Sequence, residues 1–242
     1  MSTEDSSQPG TSINIYNKYI KILIDTNMII HLFAELSIKP VYKIRSLIIN
    51  KLHNNENIRF VLYREVQEHE IINAARSLII NQEITRREKR EAILRIMEEL
   101  KEFMIKCVRV GKCIQPSVND YQVLAKSTEF YRVIMHRSEC DKYRRKLKAM
   151  ASDLQLIAVT VLAGLDGLLT ADNNMFNVYK NCICRIALHG SGPTLWFITP
   201  GSTVSKVYSV SINRCCSGPK IAGLLSGNNI IVKCIDACAD FT

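Results

Sequence analysis

The segment KILIDTN, Lys21 to Asn27, constrains the fold of this chain more than any other, because an apolar run ends abruptly on a carboxylate. Ile22, Leu23 and Ile24 have the continuous, branched apolar character of a strand buried on both faces, as in a parallel sheet. Asp25, Thr26 and Asn27 then offer three helix-capping side chains in succession. In an open parallel sheet the C-terminal strand ends face a crevice where ligand sites collect. Asp25 is therefore placed for chemistry or for capping, and both readings stand on this segment alone.

The arrangement recurs in ASDLQLIAVTVLAGLDGLLTADNNMF, Ala151 to Phe176. Leu154, Ile157, Ala158, Val161 and Leu162 recur at helical spacing and predict a buried helix with Asp153 at its start. Ala163 and Gly164 close it, and Gly167 to Thr170 reads as a short strand running to Asp172. A third unit lies between the two. IRFVLY, Ile58 to Tyr63, is a strand by its β-branched and aromatic content, and REVQEHEIINAARSLII after it reads as a helix. At about 100° per residue, Ile71, Ile72, Ala75, Leu78 and Ile79 define one apolar face, with Glu68 near its centre. Glu70 points away on this count and Glu65 lies at the flank; both stay open as alternatives. A carboxylate on a buried face is costly unless paired or bound to a metal, which singles out Glu68.

Asp25, Glu68, Asp153 and Asp172 each fall at a strand end or in the first turn after one. Gathered carboxylates repel unless a cation neutralises them, and hard divalent ions prefer oxygen ligands. The pieces ILIDTN, VQEHE on its helix, SDLQLIAVTVLAGLDGLLTADNNMF and LWFITP occur in an order that resembles the PIN-domain family over roughly Tyr19 to Val207. That resemblance implies an α/β fold, a three-layer α/β/α sandwich with a central parallel sheet. It also implies an Mg²⁺- or Mn²⁺-dependent ribonuclease that leaves a 5′ phosphate and a 3′ hydroxyl. Asp25, Glu68, Asp153 and Asp172 would hold the metal, Asn27 would support Asp25 and Thr170 would orient Asp172. A homodimer and an antitoxin-type partner protein are partners such a domain can have.

The 242 residues suffice for one sizeable α/β domain with additions, expected as a polar N-terminal tail over 1–18, a nuclease domain over 19–207 and a small Cys-, Gly- and Ser-rich appendage over 208–242. The net charge of +9 favours an anionic partner. It concentrates in YRVIMHRSECDKYRRKLK just ahead of Asp153, where Arg137, Lys142, Arg144, Arg145 and Lys148 are candidate RNA contacts and Tyr131 and Tyr143 candidate stacking platforms. The bland alternative for that run is a solvated helix face. No signal peptide or bilayer-length apolar run is read, so a cytoplasmic protein without a membrane contact is expected.

TRREKREAILRIMEELKEFMIK, Thr85 to Lys106, predicts a long amphipathic helix with a Thr85/Glu88 capping box, and Cys107 to Val110 a following strand. The nine cysteines are an odd number, so complete internal pairing is excluded; free buried thiols are the default reading, and disulfides are the alternative if the source is a hyperthermophile. Cys215, Cys216, Cys234 and Cys238 lack the paired short knuckles of a zinc site. Cys140 near His136 is the one close Cys/His pair, in a charged segment ill suited to nucleophilic catalysis. Two other functions fit strand-end acids: a PIN-like RNA- or protein-binding module without activity, and a metal-dependent phosphatase for a small substrate.

Overall fold

The structure is a computed structural model that describes residues 19–30, 48–79, 84–188, 193–198, 205–211 and 230–236. The expected N-terminal tail, the Thr199–Pro200 exit and Cys215, Cys216 and Cys238 lie outside the described residues. Seven strands are described, β1 (Ile20–Ile24), β2 (Ile58–Val61), β3 (Cys113–Ile114), β4 (Gly167–Thr170), β5 (Thr194–Ile198), β6 (Ser205–Ser211) and β7 (Ile230–Asp236). They form one sheet in the order β3-β2-β1-β4-β5-β6-β7. The first five in that order are mutually parallel, as the unbroken apolar strands require, whereas β6 runs antiparallel to β5 and β7 parallel to β6.

Helices make every crossover of the parallel part. α1 (Thr26–Ile29) and α2, described over 48–53, join β1 to β2. α3 (Arg64–Ile79) and α4 (Arg86–Arg109) join β2 to β3. α5 (Asp120–His136), α6 (Asp141–Arg144) and α7 (Ala151–Leu162) lead to β4, and α8 (Asn173–Val178) with a π-helix over Tyr179–Ala187 leads to β5.

Alternate strand residues point to opposite faces, and the core is divided accordingly. Leu23, Val61, Leu168, Leu195 and Phe197 pack under α5, α7, α8 and the π-helix. Ile22, Ile24, Phe60, Leu169 and Trp196 pack under α2, α3 and α4. Helices thus cover both faces of a parallel sheet, the α/β sandwich that the alternation of strand and helix signals leads one to expect.

Several expectations are corrected. α4 begins with the capping box of Thr85 and Glu88 but continues through Cys107 to Arg109, where a strand was expected. Gly111, at φ +71°, then makes the turn that only a residue without Cβ enters cheaply, and the edge strand starts at Cys113. The boundary at 207/208 falls inside β6, and β7 extends the main sheet instead of forming an appendage. The basic segment is not one helix: α5 stops at His136, and 3₁₀ turns at Ser138–Cys140 and Leu147–Met150 flank the single turn of α6. Cys107 is disulfide-bonded to Cys113 and Cys140 to Cys182, in place of free thiols, so Cys140 is no nucleophile. Among the described residues no helix is long and apolar enough to cross a membrane.

Gly167 opens β4 with no room for a side chain. A Cβ there would stand 2.7 Å from the Thr194 carbonyl oxygen and 3.0 Å from Trp196 Nε1, so backbone itself would have to shift. Gly167→Ala is expected to destabilise the protein by about 1–3 kcal/mol through overpacking, read as a lower urea midpoint; an unchanged midpoint would show that β4 and β5 are not held this closely.

Candidate functional site

β1 and β4 are neighbours, with Ile24 opposite Leu169, so the residues that follow them meet at one end of the sheet. The Asp25 amide donates to the Leu169 carbonyl at 3.0 Å, which carries the pairing one residue past the strand. Asp25 is almost fully buried, at 3% exposure. Its Oδ2 accepts from Thr170 Oγ1 at 2.6 Å and from Asn27 Nδ2 at 2.6 Å, while Oδ1 caps α1 through the Asn27 amide at 3.3 Å. Capping and a place in the crevice are therefore compatible uses of one carboxylate.

Thr170 and Asn27 each tie the two strand exits together. Thr170 Oγ1 also accepts from the Asp172 amide at 2.9 Å, and Asn27 Oδ1 accepts from the Ala171 amide at 3.2 Å. Asp172 in turn caps α8, its Oδ1 accepting from Asn174 and Met175 amides at 2.6 and 3.0 Å. Asp153 lies in the first turn of α7, a helix whose N-terminus has no side-chain cap. The apolar run after Asp153 buries Leu154, Leu156, Ile157, Ala158 and Val159 and so seats α7 on one face of the sheet.

The electrostatics identify which acids share this space. Burial pushes Asp153 up to about 8, and the charges of Asp25, Asp172 and Glu70 push it further in the same direction. Burial likewise pushes Asp25 up to about 7 against the opposing hydrogen bonds from Thr170 and Asn27, with Glu70 and Asp172 adding like-charge repulsion. Among the described residues, Glu70 and Asp172 are the acids whose charges act on both Asp25 and Asp153.

Glu68 is not among them, and this corrects the sequence reading. It is exposed and paired with Arg64 one turn away at 2.7 Å. It lines a separate cavity of about 490 Å³ with Leu62, Lys101, Met104 and Gln115. The face of α3 was misjudged because Ile72, counted as core, is 39% exposed. α3 also passes from one layer to the other: Val66 packs beneath α5 and α7, while Ile71, Ala75 and Ile79 pack beneath α4. An averaged face cannot describe such a helix, and it is Glu70 in its second turn, not Glu68 or Glu65, whose charge acts on both Asp25 and Asp153.

Gln67 was missed altogether. It is fully buried, and its Nε2 donates to the Ile24 carbonyl at 2.6 Å, one residue before Asp25. Three residues before Glu70, it anchors α3 to the end of β1 and fixes where Glu70 stands relative to Asp25. Its Oε1 and Thr26 Oγ1 are buried without a hydrogen-bond partner among the described residues. A glutamine inside an otherwise apolar helix face was the available signal.

The basic candidates divide as well. Arg144 is spent internally, on Asp141 at 2.6 Å and on the Ile134 and Arg137 carbonyls. Arg137, Lys142, Arg145 and Lys148 are exposed, with Lys142 lying over the Tyr143 ring. Tyr143 is buried, its hydroxyl accepting from Asn181 Nδ2, so it is not a stacking platform; Tyr131 is exposed. Among the described residues, Lys146 reaches the site's border, its Nζ donating to Asn174 Oδ1 at 2.8 Å beside the Asp172 cap.

An all-oxygen set of carboxylates, two of them shifted upward chiefly by burial, suits a hard divalent cation chemically. Among the described residues, however, no three His, Cys, Asp or Glu side chains stand together so as to hold one ion. Joint ligation by these acids therefore requires their side chains to draw inward on binding. Compared with family models, characterised proteins and solved structures, the chain matches none.

The raised carboxyls make stability depend on pH. An unfolded aspartate titrates near 3.8 but Asp153 in the fold titrates near 8, so between those values the folded chain holds the extra proton. Stability then falls as pH rises through that window. The ion-free protein is expected to lose several degrees of melting temperature between pH 5 and pH 8, and Asp153→Asn to flatten that slope; a wild-type slope equal to the variant's would contradict the burial of Asp153.

Proposed function

We propose that this protein is a metal-dependent ribonuclease of PIN-like fold, acting on cytoplasmic RNA with Asp25, Glu70, Asp153 and Asp172 as its acidic centre. The observation that carries this reading is the placement of the buried Asp25 carboxylate, held by Thr170 across two parallel strands and set in the field of Glu70 and Asp172. A bound Mg²⁺ or Mn²⁺ would supply charge neutralisation and Lewis-acid polarisation of a phosphodiester. The chain's own part is preorganisation. Thr170 and Asn27 fix Asp25, Gln67 fixes α3 and with it Glu70, and the α8 cap fixes Asp172.

Exposed Arg137, Lys142, Arg145 and Lys148, with Lys146 at the border of the site, supply the cations that an RNA backbone requires. A small phosphorylated substrate needs fewer, which weighs against the phosphatase reading. A second reading is favoured by one observation, the lack of three acids placed to share an ion among the described residues. On that reading the chain is a PIN-like module that docks RNA or a partner without cutting.

Cleavage of single-stranded RNA in Mg²⁺ separates these. Asp25→Asn and Asp172→Asn are expected to lower cleavage at least about 100-fold while circular dichroism stays native, and Glu70→Gln to lower it strongly. Glu68→Gln is expected to leave it unchanged. Full cleavage by both aspartate variants would refute the assignment, and loss in Glu68→Gln with retention in Glu70→Gln would reverse the choice of glutamate. Absent cleavage by wild type together with unchanged RNA affinity in the variants would favour the binding module.

A further inference from the structure

The cavity under α4 takes no part in the acidic centre, since none of Asp25, Glu70, Asp153 or Asp172 lines it. It forms where β2 and β3 end side by side. Leu62 prolongs β2, its amide donating to the Ile114 carbonyl at 3.0 Å, and Gln115 follows β3. The start of α3 and the C-terminal half of α4 complete the lining. The Cys107–Cys113 disulfide ties that half of α4 to β3, so two of the walls are joined covalently. Such a joint favours a cavity formed before anything enters it. Its volume of about 490 Å³ is that of a small-molecule site.

The lining divides by chemistry. Leu62 and Met104 are buried, whereas Ile105 and Val108 are 58% and 39% exposed, so the apolar wall runs from the core out to solvent. Arg64 and Glu68 hold each other at 2.7 Å, and their charges cancel. Lys101 is exposed and stands one helical turn before Met104 and Ile105. Among the described residues its ammonium has neither an ion-pair nor a hydrogen-bond partner, and the exposed Gln115 amide has no hydrogen-bond partner. The cavity thus keeps one net positive charge and one uncommitted amide beside an apolar wall.

We propose that this cavity binds a small amphipathic anion, with its negative head at Lys101 and an aliphatic body against Leu62, Met104, Ile105 and Val108. Charge complementarity selects the head. A carboxylate accepts a charge-assisted hydrogen bond from the ammonium and leaves a second oxygen for the Gln115 amide. Glu68 does not repel it, because Arg64 already neutralises that carboxylate. The wall selects the body: branched and thioether side chains without an aromatic ring adapt to an alkyl chain.

Calorimetric titration of the full chain with hexanoate, octanoate and decanoate tests this, with octanamide and octylamine as probes of the head. Octanoate is expected to bind one per chain, and each added methylene to tighten binding about fourfold. Octanamide should bind on the order of tenfold more weakly than octanoate, and Lys101→Ala should bring the two together. Ile105→Glu, at an exposed position, is expected to abolish octanoate binding with unaltered circular dichroism. Asp25→Asn should bind octanoate as wild type does, since the site stands apart from the acidic centre. No binding of any of the three carboxylates would overturn the proposal, as would octylamine binding as tightly as octanoate. Undiminished octanoate affinity in Lys101→Ala or in Ile105→Glu would overturn it equally, because the ligand would then sit elsewhere.

Discussion

The hydrogen bond from Thr170 to Asp25 is the contact on which the rest of the site depends. It exists because β1 and β4 are parallel neighbours in a register that ends both strands at the same level, so that the first polar side chains after each strand meet over the sheet edge. The same hydroxyl accepts from the Asp172 amide, and Asn27 repeats the connection from the other strand. Two helix caps and two crossover exits are thereby fixed by two short polar side chains. The elements that carry these side chains are themselves packed between the sheet and its two helical layers.

That rigidity has an electrostatic cost. Asp25 and Asp153 sit where burial and like charge both disfavour ionisation, and the hydrogen bonds from Thr170 and Asn27 only partly offset this for Asp25. A fold selected for stability alone would replace such a cluster with apolar or neutral residues, since uncompensated buried charge is among the most destabilising features a core can carry. Retaining it is intelligible if something positively charged spends time there. Gln67 Oε1 and Thr26 Oγ1 are further buried polar atoms without a partner among the described residues.

The sequence made the scaffold readable wherever one physical signal dominated. The apolar runs of β1 and β4, the capping box of α4 and the core periodicity of α7 all survive in the structure, because each reflects a local preference that packing reinforces. It was unreadable where a residue's role depends on which layer receives it. α3 turns its first residues to one face of the sheet and its remainder to the other, so one averaged moment promoted Glu68 and hid Gln67 and Glu70. Residues 107–110 look like a strand in isolation, yet α4 extends through them because Gly111 supplies the turn afterward. The break-up of the basic segment and the burial of Tyr143 follow from long-range contacts, among them the Cys140–Cys182 bridge, that no local pattern announces.

The central claim is that Asp25, Glu70, Asp153 and Asp172 form one cation site. A crystal soaked in Mn²⁺ and measured at the manganese edge tests it directly. The account predicts anomalous density among these four carboxylates, with their side chains drawn inward around it. Density elsewhere, such as beside Glu68 in the cavity under α4, or none at saturating manganese, would contradict it.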